Sequence, residues 1–127
     1  MNLTQQSTPA PAQTLPAGDN EVITGAMGDC VSVIVLWNQV GPNYQNVRGY
    51  HGSGGFQAID FPSLFNAVPN AAGTRIIGCF SPQSLSSNDL QRYTDYCTTN
   101  FPNAQSVVAQ GGGNYRVVRT GAWQLWQ

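Results

Sequence analysis

Charge is what this chain has least of. Only 9% of its 127 residues are charged, against about a quarter in an ordinary globular domain. Lysine is absent, and the five basic residues are all arginine: Arg48, Arg75, Arg92, Arg116 and Arg119. A net charge of -1 offers no electrostatic footprint for a phosphate backbone or an anionic bilayer, which argues against a nucleic-acid or membrane-surface binder. Long apolar runs are missing too. The longest, Val31 to Trp37, is interrupted by Ser32 and falls far short of the roughly 18 residues a membrane-spanning helix needs. The first residues show no basic stretch followed by an apolar one, so they do not read as a signal peptide. Histidine occurs once, at His51, and cysteine three times, at Cys30, Cys79 and Cys97. That set has no zinc-ligand spacing. An odd number of cysteines leaves at least one thiol free or paired between molecules.

What is present falls into two parts. Residues 1–20 are rich in Pro, Ala, Gln and Thr and have no apolar period. They read as a flexible linker, because such a segment buries too little surface to offset its ordering entropy. A linker there suggests either a piece of a longer protein or an arm used in export. Residues 21–127 read as one domain. Glu21 to Thr24, Val31 to Trp37, Val47 to His51 and Thr74 to Phe80 are strand candidates. Val31 to Trp37 is apolar enough to be buried on both faces. Asn38 to Asn46, with Gly41-Pro42-Asn43, reads as a loop.

Asp60 to Val68 reads as a short helix capped by Asp60, with Pro62 in its first turn. A longer helix opens at Ser86-Ser87-Asn88-Asp89 in a capping-box-like start. It carries Leu90, Tyr93, Cys97 and Phe101 on one face. Ala104 to Gln110 and Asn114 to Thr120 read as a hairpin joined by Gly111-Gly112-Gly113. Ala122 to Trp126 is a last edge strand. The fold class that follows is α+β: a strand-rich sheet or β-sandwich with two flanking helices.

The chemistry concentrates between Thr24 and His51. A thiol at the mouth of one apolar strand and an imidazole at the far end of the next return to one sheet edge if the strands pair antiparallel. His51 is the one side chain that titrates near neutral pH and can activate Cys30 as a nucleophile. Its second ring nitrogen needs an acceptor, and Thr24 on the preceding strand can supply a hydroxyl or a backbone carbonyl. Gly28 allows the chain to turn before Asp29 and Cys30, so that neighbouring N–H groups can face an oxyanion. Cys79 and Cys97, among apolar neighbours, read as buried hydrophobes.

The pattern Thr24-x-x-x-Gly28-x-Cys30, an apolar strand and then His51 resembles the chemoreceptor glutamine deamidases (CheD). That family shares its Cys-His constellation with deamidase toxins of the cytotoxic necrotizing factor type. Asp29 stands where that family usually has serine. The resemblance covers residues 22–55 and implies the deamidase fold, with Cys30 as nucleophile, His51 as base and Thr24 orienting the base. It implies hydrolysis of a protein glutamine amide to glutamate through a thioester, with no metal or organic cofactor. The implied partner is a protein substrate with a reactive glutamine, together with a possible immunity or regulatory protein. The favoured setting is a secreted bacterial effector. A chemotaxis deamidase, a transglutaminase and a non-catalytic module contacting a protein through Trp123 and Trp126 are the alternatives.

Overall fold

The computed structural model describes residues 1–85 and 88–126. Its strands are β1 (Gln5–Gln6), β2 (Gln13–Thr14), β3 (Glu21–Ile23), β4 (Val31–Val40), β5 (Asn43–Gly52), β6 (Arg75–Phe80), β7 (Gln105–Ala109), β8 (Tyr115–Val118) and β9 (Trp123–Leu125). The helices are α1 (Phe61–Leu64), α2 (Pro82–Leu85) and α3 (Asp89–Asn100). The class is α+β. A mixed six-stranded sheet runs β1-β5-β4-β6-β7, with β2 also on β5, and a three-stranded sheet runs β3-β8-β9.

The apolar run of β4 explains the layering. Ile34 and Leu36 point into a core shared with Val22, Tyr115 and Val117 of the small sheet. Val31, Val33 and Val35 point into a second core with Leu64, Tyr93, Cys97 and Phe101 on the helical side. Side chains alternate along a strand, so only a nearly continuous apolar run can serve two cores at once. Close approach is built in at Gly78 of β6, where a Cβ would stand 2.7 Å from the Tyr93 ring. The Tyr93 hydroxyl stands within hydrogen-bond distance of the carbonyls of Ile76 (3.1 Å) and Val107 (2.8 Å) and has one proton to share between them, which fixes α3 across β6 and β7.

Four local readings change. Residues 1–20 are not a flexible linker. Gln5 pairs with His51 and Gln6 with Gly52 in parallel, while Gln13 and Thr14 pair antiparallel with Gly49 and Arg48. Leu3 and Leu15 are buried in the core between the sheets. The Arg119 guanidinium donates to the carbonyls of Pro16 (2.7 Å), Asp19 (2.7 Å), Tyr44 (3.1 Å) and Gln45 (3.1 Å), which pins the same segment. The physical reason is that the unpaired edge of β5 supplies hydrogen bonds that the segment's own sequence does not advertise.

The expected loop at Asn38 to Asn46 is a continuation of the ladder to Val40↔Asn43. Gly41, at φ +61°, occupies the first of its two turn residues, a position that favours glycine. Ala104 to Gln110 and Asn114 to Thr120 do not form a hairpin. β7 joins β6 in parallel, whereas β8 lies between β3 and β9 in the other sheet. The glycine loop carries the chain between sheets, with Gly111 at φ +102°. The helix after Asp60 is the single turn α1, with Asp60 Oδ1 capping the Ser63 N–H at 3.2 Å. The capping-box reading of α3 rests partly on Ser86 and Ser87, which lie outside the described residues. No helix among the described residues is long and apolar enough to cross a membrane.

Candidate active site

Strand pairing puts the two chemistry-bearing residues on one face of the sheet. Ser32 lies directly opposite His51, and Val31 opposite Gly52. Cys30, one residue beyond the ladder, has the parity of Ser32 and shares the core of Ile34 and Leu36. Cys30 and His51 therefore occupy the same face as diagonal neighbours on adjacent strands. That spacing is roughly 7–8 Å between backbones, and Cys30 Sγ and His51 Nε2 make no hydrogen bond across it. Both side chains are nearly closed off, at 4% and 3% exposure.

The histidine tautomer follows from its contact with Thr24. His51 Nδ1 lies 2.8 Å from the Thr24 carbonyl oxygen, and a carbonyl only accepts, so Nδ1 carries the proton. Nε2 is then the basic nitrogen, buried and, among the described residues, without a hydrogen-bond partner. Burial lowers the His51 pKa below its ordinary 6.5, and the Thr24 carbonyl opposes that in part. The ring is neutral at pH 7, the form in which Nε2 can take a proton.

Thr24 orients the imidazole through its backbone, not its hydroxyl. The hydroxyl accepts from the Tyr115 N–H (2.9 Å) and stands within hydrogen-bond distance of the Gly25 carbonyl (3.0 Å) and Asn114 Oδ1 (3.2 Å). Asn114 Oδ1 also accepts from the Gly25 N–H at 3.1 Å. Gly25 takes the left-handed φ of +82°, and the bend expected at Gly28 is present at Gly28 and Asp29. Thr24→Val should lower stability by about 1–3 kcal/mol, because it leaves the buried Tyr115 N–H without an acceptor. Thr24→Ser should keep that bond and stay close to wild type in urea unfolding, and both should retain the carbonyl's hold on His51.

Gly28 is exposed and its carbonyl accepts from the Ser81 hydroxyl. The Met27 N–H donates to Gly113 O at 2.7 Å, so the loop before Cys30 is tied to the glycine loop as well. Since a peptide is planar and trans, fixing the Gly28 carbonyl toward Ser81 turns the Asp29 N–H the opposite way. Asp29 itself is exposed, and its Oδ1 stands 3.9 Å from Cys30 Sγ, an acceptor for the S–H.

The other thiols differ. Complete burial pushes the Cys79 pKa far above the thiol range, and burial raises Cys97 to about 11. Both stay protonated and inert near neutrality.

Three residues at the site were not singled out from sequence. Gln5 Nε2 donates to Cys30 Sγ (3.5 Å) and to Ser53 Oγ (3.0 Å). Ser32 places an unpartnered hydroxyl opposite His51. Nothing local marks Gln5, in a segment of linker-like composition. Ser32 was visible as the polar break in the apolar run, and Ser53 as the residue flanked by glycines after His51. Comparison with protein-family models, with curated proteins and with solved structures gave no match to this chain.

Proposed function

We propose that this chain is a protein-glutamine deamidase of the CheD and cytotoxic necrotizing factor type, acting as a secreted bacterial effector on a target protein. The observation that carries the reading is the polarised imidazole. The single histidine donates from Nδ1 to Thr24 O and keeps Nε2 buried and unengaged, on the face that Cys30 shares. A structural histidine in a core normally satisfies both nitrogens.

In this mechanism Nε2 of His51 takes the Cys30 proton and the thiolate attacks the carboxamide carbon of a substrate glutamine. The oxyanion is met by N–H donors beside the sulfur, the Asp29 N–H among the candidates. Collapse breaks the C–N bond, and ammonia leaves with the proton from His51. Water, deprotonated by the same nitrogen, resolves the thioester to glutamate. An amine in place of water would give transglutamination. The product puts a negative charge where the target had a neutral amide, enough to disable an interface or a catalytic glutamine. An immunity or regulatory protein that covers Cys30 is the partner this activity calls for.

The test is peptide mass spectrometry of proteins exposed to wild type and to Cys30→Ser. Wild type alone should raise a specific glutamine by about one dalton, as acyl-enzyme hydrolysis of an amide requires. A Cys30 thiol that reacts with iodoacetamide only after denaturation, with no glutamine converted, would sink the proposal.

A further inference from the structure

We propose that Gln5 is an oxyanion donor of this site: its carboxamide N–H, 3.5 Å from Cys30 Sγ, would receive the negative oxygen formed when the sulfur attacks. The inference rests on the nucleophilic reading of Cys30 and adds a catalytic residue to it. A primary amide has two N–H donors and can serve two acceptors. One partner is Ser53 Oγ, at 3.0 Å, and the other is Sγ itself. The backbone of Gln5 is in turn fixed by its register opposite His51. Donor and base thus stand on neighbouring strands held by ladder pairing, and the nucleophile stands one residue before the third strand.

The chemistry fits the donor's position. As the S–C bond forms, the carbonyl π pair moves onto oxygen, and that oxygen, on the carbon now joined to sulfur, stands two bonds from Sγ. A donor already aimed at the sulfur meets it with little reorganisation. When the pair returns, the C–N bond breaks and ammonia leaves with the proton from His51. Gln5 changes neither bonds nor protons. Its side chain is exposed while Cys30 and His51 are buried, so it stands on the side from which a substrate amide would arrive.

Two other roles are compatible with the same contact, and the experiment separates them. Gln5 could be only a cover over the thiol, or its own carboxamide could be attacked as a substrate in cis. The probes are p-nitrophenyl acetate, which acylates Cys30 through an oxyanion, and iodoacetamide, which alkylates it without one. Cys30→Ser supplies the background. Gln5→Met keeps the bulk of the side chain and loses the donor, and Gln5→Ala loses both. Both should lower the ratio of acylation to alkylation on the order of 10²-fold, the effect of losing one oxyanion donor. Gln5 is exposed, so neither change should unfold the chain, and urea midpoints check that.

An unchanged ratio in both variants would show a cover and overturn the proposal. So would an intact-mass rise localised to Gln5 in wild type and absent in Cys30→Ser. Failure of the underlying reading looks different: native wild-type Cys30 would then alkylate no faster than in His51→Ala, whatever residue stands at position 5.

Discussion

His51→Ala should slow alkylation of Cys30 at pH 7 and reduce glutamine conversion roughly 10²- to 10⁴-fold, the range that a positioned general base contributes. The neutral ring has its proton committed to the Thr24 carbonyl and its lone pair free, and alanine removes both. Because alanine also leaves that carbonyl without its donor, His51→Gln is the companion variant. It can still donate to Thr24 O but has no basic nitrogen, so it should fold normally and fail equally in catalysis. The pH profile supplies a second reading. Burial holds the His51 pKa below 6.5, so the wild-type rate that depends on the neutral ring should persist through pH 6.5 and fall only below it.

Stability should follow the same group. A histidine held neutral by burial contributes most above its unfolded pKa, and the contribution is lost as pH falls through the lower folded value. His51→Gln should flatten that part of the stability profile in urea titrations. A His51→Ala enzyme with unchanged alkylation kinetics would remove the base from the mechanism.

Leu3→Ala and Leu15→Ala should each cost about 2–5 kcal/mol, the range for emptying a buried leucine site. That is a large share of the roughly 5–15 kcal/mol by which a domain is stable. Both side chains sit in the core between the two sheets, and Leu3 fills the space a Cβ at Gly49 would need, its Cδ2 standing 2.9 Å from that position. The Leu3 N–H donates to Ile23 O of the small sheet at 2.8 Å, two residues before Gln5 joins the large one. The N-terminal stretch therefore ties the sheets together beside the site. Urea midpoints and limited proteolysis measure this. A midpoint unmoved by either substitution, with cleavage inside residues 1–20 that leaves the rest folded, would return the segment to the role of a linker.

The expected α+β class and the central strands were legible in the sequence because their signals are local. Val31 to Trp37 announces a strand buried on both faces by composition alone. Cys30 and His51 could be placed at one edge because two successive strands that pair antiparallel bring the start of one beside the end of the next, whatever joins them. Thr24 was legible as a neighbour of His51, but hydroxyl and carbonyl lie on the same residue, and only the path set by Gly25 decides which one faces the ring. The glycine run 111–113 carries the same turn signal whether its flanking strands pair with each other or part. Here the parallel edge of β6 took β7, and the small sheet took β8.

The sequence by itself determined that the chain holds one imidazole, a thiol before an apolar strand, little charge and a core-forming pattern from Val22 onward, since composition and periodicity are carried by each residue and its neighbours. Tertiary structure alone decided that residues 1–20 belong to the fold and that Gln5 reaches the Cys30 sulfur. A polar segment with two leucines has no periodic signal of its own. Its order comes from hydrogen bonds and burial offered by β5, a strand some forty residues away in the chain.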